Sequence, residues 1–368
     1  MTESKALLGL IQENLDEFCN ARRVEFEMIS PDLVPVVDYT QDLLRGGKRF
    51  RALFTYWSWV GALESADLQQ SEKQRAASAE AMVSITAALE MFHAAALVHD
   101  DLLDQSDTRR GAPSVHKRFE ALHQESGWAG SSERFGTAGS VLVGDLMLGW
   151  SSELFGNALL NAPTPEIETA CRNEFSKMRV EVMAGQYLDV LEENAAPTRA
   201  IHELVGRANR VMLYKTAKYS IEAPLLIGAA FAGAGPGLLR GLSAFGIPLG
   251  MAFQLKDDIL GVFGDPAITG KPAGDDLREG KRTALIAFAS QTPEWALISG
   301  LVGSSTLSDD EAATVREVLE RTGAKKYTQR LASDYADEAV AALHGAGVPQ
   351  KLIDQLTPLV TAVVERVR

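Results

Sequence analysis

Residues 81–104 read AMVSITAALEMFHAAALVHDDLLD. Across Ala81–Val98 apolar side chains recur at i, i+3, i+4 and i+7 and leave almost no polar face. That pattern belongs to a helix packed inside a bundle, since a surface helix carries a broad charged side. The segment then runs straight into Asp100, Asp101 and Asp104. Asp100 and Asp104 are four apart, so a helix stacks their carboxylates on one face. Like charges at that spacing cost roughly 0.2–0.5 kcal/mol per pair, and no lysine is interspersed to relieve them. Carboxylates emerging from an apolar segment need a compensating cation. A hard divalent ion held by few protein oxygens and completed by substrate phosphates, the usual state of magnesium, meets that need. For this one cluster, a solvated acidic surface is an equal alternative.

A second cluster tips the balance. Phe253-Gln254-Leu255-Lys256-Asp257-Asp258-Ile259-Leu260 again places paired aspartates at the end of an apolar helix. Two such helices face to face would cage several magnesium ions around a diphosphate. Neither cluster has the His and Cys donors of a zinc or iron site.

Helical periodicity also covers Arg51–Leu63, Thr137–Leu160, Ile167–Leu191 and Leu238–Val262, and no run alternates with period two. The expectation is an all-α fold, a single large bundle of ten or more helices, with one domain over residues 1–368. Loops are expected at 124–137, 161–165, 194–197 and 233–237, and a long one at 264–280 that holds Pro266 and Pro272.

The net charge of −13, from 49 acidic and 36 basic residues, argues against a nucleic-acid partner. It leaves room for a phosphorylated substrate if cations gather at one site. Cys19 and Cys171 lack metal-ligand spacing and read as reduced thiols of a cytoplasmic protein. Met1–Asn20 carries no apolar leader, and no segment approaches an uninterrupted membrane span, so no transmembrane segment is expected. Cations do gather: Arg45-Gly46-Gly47-Lys48-Arg49-Phe50-Arg51 sets a glycine pair and three cations at an expected helix N-terminus, where free N–H groups favour phosphate. Arg109-Arg110-Gly111 follows the first cluster, and Lys215-Thr216, Lys271 and Lys281 add candidates. There is no GxxxxGK[ST] and no GxGxxG.

Taken together, GGKRFR (46–51), HDDLLDQSDTRRGAPSVH (99–116), GD (144–145), GQYLD (185–189), KT (215–216) and FQLKDDILGVFGDPAITGKPAGDDLREGK (253–281) resemble the trans-isoprenyl diphosphate synthases, or polyprenyl synthetases, in order and approximate spacing. The resemblance implies the isoprenoid synthase fold around a deep central pocket, a homodimer, about three bound magnesium ions, and head-to-tail condensation of isopentenyl diphosphate with an allylic diphosphate (dimethylallyl, geranyl or farnesyl). It implies Asp100 and Asp104 as ligands of two metals and Asp257 as ligand of the third, with Asp101 and Asp258 behind those ligands or acting through metal-bound water. Arg109, Lys215, Lys271 and Lys281 would grip the allylic diphosphate. Lys48, Arg51, His93 and Arg110 would hold isopentenyl diphosphate. Thr216 and Gln254, with Lys215, would face the allylic carbocation, and Gln186 and Asp276 would lie behind them in the same cavity.

The second motif departs from the family pattern, because its usual third aspartate is Gly261. Asp265, between a glycine and a proline, falls off the helix. On sequence alone Gly261 reads as a tolerated variant, and an aspartate restored there should mainly alter magnesium dependence. The wording DDILGVFGDPAITGKPAGDD is similar to actinobacterial-type synthases that make geranylgeranyl diphosphate. Small Ala95 and Ala96 leave the space one turn below Asp100 open. Phe92, roughly 12 Å below Asp100 at 1.5 Å per residue, would floor it. A farnesyl or geranylfarnesyl product, a class I terpene cyclase and a non-catalytic partner subunit are the alternatives.

Overall fold

The computed structural model describes residues 2–63, 71–264, 274–304, 306–345 and 348–364. Its α-helices, in chain order, are α1 (Thr2–Ile29), α2 (Val34–Leu43), α3 (Phe50–Ala62), α4 (Glu72–Leu103), α5 (Val115–Glu125), α6 (Ser132–Leu159), α7 (Pro165–Ala195), α8 (Leu204–Val211), α9 (Ala223–Phe231), α10 (Pro236–Phe263), α11 (Asp275–Glu279), α12 (Ala284–Ala289), α13 (Asp309–Arg321), α14 (Ala324–Gly345) and α15 (Gln350–Val364). Among the described residues the only strands are β1 (Thr108–Arg109) and β2 (Ala112–Pro113), a minimal antiparallel hairpin. The fold is all-α.

The opening stretch is α4. A capping box starts it: the Ser71 hydroxyl accepts from the Gln74 N–H, and the Gln74 side-chain Oε1 accepts from the Ser71 N–H. At 32 residues it is about 48 Å long, and Met82, Ile85, Leu89 and Phe92 are fully buried along it. Helix α6 lies alongside, and the Ser151 hydroxyl donates to the Ala88 carbonyl at 2.7 Å. By length and composition α4 and α10 could cross a membrane, although neither is an uninterrupted apolar run. Isolated polar residues interrupt their apolar runs without lowering the average much. Of the relevant stretches, 67% and 56% are buried inside the bundle, which satisfies their apolar surface.

Between α8 and α9 the chain is π-helical, over Met212–Glu222. π-helical turns are rare and gather at functional sites, and this one carries Lys215, Thr216, Tyr219 and Ser220. Its wide backbone fits because glycines face it. A β-carbon on Gly185 of α7 would stand 2.7 Å from the Lys215 Cα, and one on Gly250 of α10 would stand 2.7 Å from the Ala217 Cβ.

Several expected boundaries move. The loop expected at 194–197 is helical, with α7 running to Ala195 and a 3₁₀ turn over Ala196–Thr198, and 233–237 shortens because Pro236 opens α10. The loop at 124–137 shrinks to 126–131, because the Ser131 hydroxyl caps α6 early. Of 264–280, Asp275–Glu279 is helical, while 265–273, with Asp265 and the candidate cation Lys271, lie outside the described residues. Arg366 and Arg368 also lie outside them. Helix α3 begins only at Phe50. Gly46, Gly47 and Arg49 have φ of 75°, 84° and 47°, which makes a left-handed approach, so Lys48 and Arg49 precede the helix and only Arg51 is in its first turn. Nor is that helix end wholly open to an anion, since the Ala52 N–H donates to Glu90 Oε1 at 3.4 Å.

Candidate active site

Helix α4 ends at Leu103, where the Asp104 N–H closes the last turn on the Asp100 carbonyl at 2.8 Å. Two lysines approach the stacked carboxylates from other elements. Lys215 Nζ, on the π-helix, donates to Asp100 Oδ1 at 3.1 Å and Asp189 Oδ2 at 2.6 Å. Lys281 Nζ, just past α11, donates to Asp104 Oδ1 at 2.6 Å and Glu193 Oε1 at 2.7 Å, and to Asp189 Oδ2 at 3.3 Å. Gln186 Nε2 donates to Asp100 Oδ1 at 3.1 Å. Four carboxylates and two ammonium groups, −4 + 2, leave a net −2 in a largely buried site.

Ionisation within the cluster is uneven. Burial pushes the Asp100 carboxyl up, but Lys215, Lys281 and Arg109 outweigh it and hold the group well below the usual carboxylate range. Asp104 goes the other way: burial, then the Asp100 charge, raise it to about 6. Burial lowers both lysines, and the surrounding carboxylates more than restore them, so both stay charged.

Past Asp104, the hairpin turns on Arg110 and Gly111, with φ of 54° and 77°. Positive φ at both central residues is the two-residue turn that matches strand twist, and it costs strain at a non-glycine. The turn folds Arg109 back onto α4, where Nε donates to Asp101 Oδ1 at 2.8 Å and Nη2 reaches the same oxygen. Asp101 is 1% exposed. Its carboxylate clamps Arg109, which lies 3.6 Å from Asp100 Oδ2, so Asp101 stands behind the residues expected to hold metal and diphosphate. Arg110 is exposed, and its guanidinium donates to the Arg45 carbonyl at 3.1 Å. A β-carbon on Gly47 would crowd that guanidinium at 3.0 Å.

On α10, Asp257 is half-buried and Asp258 is 3% exposed. Asp258 Oδ1 accepts from Gln254 Nε2 at 2.7 Å, and Gln254 Oε1 accepts from the Thr216 hydroxyl at 2.6 Å. The Asp258 Oδ2 is buried without a hydrogen-bond partner among the described residues. Burial holds this carboxyl well above the usual range despite the Gln254 bond, helped by the charges of Asp276, Asp257 and Asp189. Beside Gly261, the Asp276 carboxylate of α11 occupies the space a side chain there would need.

A third group sits a turn or two below Asp100. Arg51 Nη2 donates to the Ser220 hydroxyl at 2.7 Å, and its guanidinium carbon lies 4.4 Å from the centre of the Tyr219 ring. His93 Nδ1 is 3.2 Å from the Tyr219 hydroxyl. Burial, then Arg51, Arg110 and Arg109, drive the His93 pKa well below its ordinary value, so the imidazole is neutral at pH 7. A small cleft joins His93, Glu90, Gly46 and Arg110. Lys48 is exposed on the adjoining turn. Deeper still, Phe92 meets the rings of Phe175 and Tyr219 at 6.3 and 5.8 Å, and Phe175 stacks on Phe155 at 4.0 Å. Ala95 is fully buried and Ala96 half-buried.

The residues named from the sequence thus converge, Lys271 excepted, and several partners had not been singled out. Asp189 and Glu193 were missed, although Asp189 ends the GQYLD motif three residues after Gln186. Glu90 was missed too, although it is the one acid inside Ala81–Val98. Burial raises its carboxyl even with Arg51 and Arg49 nearby. Tyr219 and Ser220 gave no signal.

Among the described residues, no three His, Cys, Asp or Glu side chains form a ready-made metal cage, because lysines sit against the carboxylates. The donor set still fits a hard divalent ion. It is all oxygen, it is net negative, and it includes the Asp104 carboxyl, raised by burial and then by the Asp100 charge, which a cation would relieve.

An all-helical bundle that brings two aspartate-bearing helix ends and two lysines into one buried site defines the trans-prenyltransferases. The chain belongs to the polyprenyl synthetase family, whose model matches residues 35–319. A geranylfarnesyl diphosphate synthase of Aeropyrum pernix is 29% identical to it over 94% of this chain and 98% of that one. A (2E,6E)-farnesyl diphosphate synthase of Mycobacterium tuberculosis is 33% identical, over 76% and 72%. The solved geranylgeranyl pyrophosphate synthase of Corynebacterium glutamicum, complexed with isoprenyl diphosphate and magnesium, superposes with a TM-score of 0.88 at 36% identity and 98% coverage of both chains.

Proposed function

We propose that this single-domain enzyme condenses isopentenyl diphosphate with an allylic diphosphate in the presence of magnesium, with geranylgeranyl diphosphate as main product. One observation carries the reading: Lys215 and Lys281, tied together through Asp189, draw the first aspartate motif against the elements that hold the second. Asp100, Asp104 and Asp257 would hold the metal ions, which when bound supply positive charge to the departing diphosphate. Lys215, Lys281 and Arg109 carry that diphosphate on fixed cations in a largely buried site, where their charge is little screened. Lys271 belongs to the same set by its place in the motif. Thr216 and Gln254 turn polar oxygens toward the allylic carbon chain. Arg51, His93, Arg110 and Lys48 hold isopentenyl diphosphate so that its double bond meets the allylic carbon. Clamped by Asp101, Arg109 cannot swing away as the diphosphate leaves.

Phe92 with Phe155 and Phe175 would close the tail cavity beneath Ala96, which supports a product of intermediate length. A homodimer agrees with exposed Val180, Met183 and Tyr187 along one face of α7 and Leu142 on neighbouring α6. A cytoplasmic location is part of the same proposal. Incubation of the purified chain with magnesium, labelled isopentenyl diphosphate and each allylic starter, followed by sizing of the products, tests the reading. Label in a twenty-carbon product, lost on chelation, is the expected result. No chain elongation with any starter would refute it.

A further inference from the structure

Behind the active site lies a cavity of about 260 Å³, between the end of α7, helices α8 and α12, and the 3₁₀ turn Pro293–Leu297. Ile201, Leu204, Ile286 and Trp295 give it apolar walls. Three arginines line it against one acid, Glu192. Arg207 neutralises Glu192 through a 2.9 Å bond. Arg199 and Arg282 are different: each is half-buried, and the Nε–H of each is buried with no hydrogen-bond acceptor among the described residues. Buried donors are normally paired, and leaving one unpaired costs about 1–3 kcal/mol.

We propose that this cavity is a second binding site, for a small organic oxyanion with an apolar body, and that its occupancy is felt at the active site. An engineered cavity of about 150 Å³ accepts benzene, so this one has room for a ring and a head group. The planar guanidinium fork suits a carboxylate or a phosphate ester equally. Coupling follows from chain neighbours that divide between the two sites. Glu192 lines the cavity while Glu193 holds Lys281, and Arg282 lines the cavity while Lys281 holds Asp104 and Asp189. An anion that draws Arg282 toward it therefore shifts the backbone that aims Lys281. This second half rests on the proposed role of Lys281 in prenyl transfer; the binding half does not.

The test is calorimetric titration of the full chain with 2-naphthoate and, separately, phenyl phosphate, with magnesium and farnesyl thiodiphosphate present to fill the active site. One saturable site is expected, weakened about tenfold by Arg199→Gln and by Arg282→Gln, the loss of one charge-assisted hydrogen bond. Binding of only one probe assigns the head group. Absence of binding by either up to about 10 mM, weaker than ordinary small-ligand affinities, overturns the proposal. So does binding that both substitutions leave unchanged. The wild-type protein should need a different magnesium concentration for half-maximal rate when the probe is bound, and Arg199→Gln should remove that shift. An unmoved magnesium requirement overturns the coupling. Because the titration needs no turnover, its failure is separate from a failure of the prenyl-transfer reading.

Discussion

The carboxylate of Asp276 fills the space that any side chain at position 261 would need. A β-carbon built on Gly261 would stand 2.5 Å from the Asp276 Cγ and closer still to Oδ2. The Gly274 N–H, at the start of α11, donates to the Gly261 carbonyl at 3.3 Å and fixes the two elements in register. The second aspartate motif thus lacks its third acid in sequence but has a carboxylate at that place in space.

Gly261→Ala should therefore push the Asp276 carboxylate aside; a helical Gly→Ala exchange itself gains about 1 kcal/mol, so the loss should be read as weaker manganese binding and not as a lower melting temperature. Gly261→Asp should also weaken manganese binding, measured calorimetrically with a thiodiphosphate present, because two like charges then compete for one place. Combining Gly261→Asp with Asp276→Ala should restore binding relative to Gly261→Asp alone. If the double variant binds no better, Asp276 does not stand in for the missing acid.

Asp104 yields a pH prediction. Its folded pKa, about 6, lies above the ordinary carboxylate value, so between roughly pH 4 and 6 the folded state holds the extra proton. Stability from this group is present at low pH and lost as pH rises through 6. In metal-free protein, wild type should lose melting temperature relative to Asp104→Asn on going from pH 5 to pH 7, and added magnesium should reverse the loss. A gap that is constant with pH would rule out the raised carboxyl.

Asp258 should behave as a neutral acid. Asp258→Asn keeps an acceptor for Gln254 and is expected to leave turnover within roughly tenfold, whereas Asp258→Ala breaks the chain through Gln254 to Thr216 and leaves buried groups unpaired, at about 1–3 kcal/mol. Equal damage from both substitutions would mean that the ionised carboxylate is required.

Arg51 and His93 both touch Tyr219, so their losses should share a signature. Arg51→Ala and His93→Ala should raise KM for isopentenyl diphosphate far more than that for the allylic substrate, by the roughly 1.5–3 kcal/mol of a charged hydrogen bond. With a neutral imidazole, the His93 contribution should be flat from pH 6.5 to 8. Equal effects on both Michaelis constants would move this group out of the isopentenyl site.

Chain length depends on more than one ring. Ala96→Phe should shift products toward farnesyl diphosphate, while Phe92→Ala alone should lengthen them only modestly, because the Phe155–Phe175 stack remains beneath. Phe92→Ala with Phe175→Ala should lengthen them clearly. An unchanged product profile in the double variant would place the floor elsewhere.

The sequence by itself determined the helices and the two acidic motifs. Apolar period and the i, i+4 spacing of Asp100 and Asp104 are properties of a single helix and need no partner to be read. It did not reveal that Asp189 bridges Lys215 to Lys281, that Asp101 clamps Arg109, or that Asp276 answers Gly261. Those pairings join residues brought side by side only when α4, α7, α10 and α11 cross, and a charge in sequence carries no mark of its partner. The π-helix was hidden for the same reason. Its residues have ordinary helix chemistry, and its width is permitted only by Gly185 and Gly250 on the helices that face it. Where each long helix runs was written locally, and what its charged groups do was decided by packing.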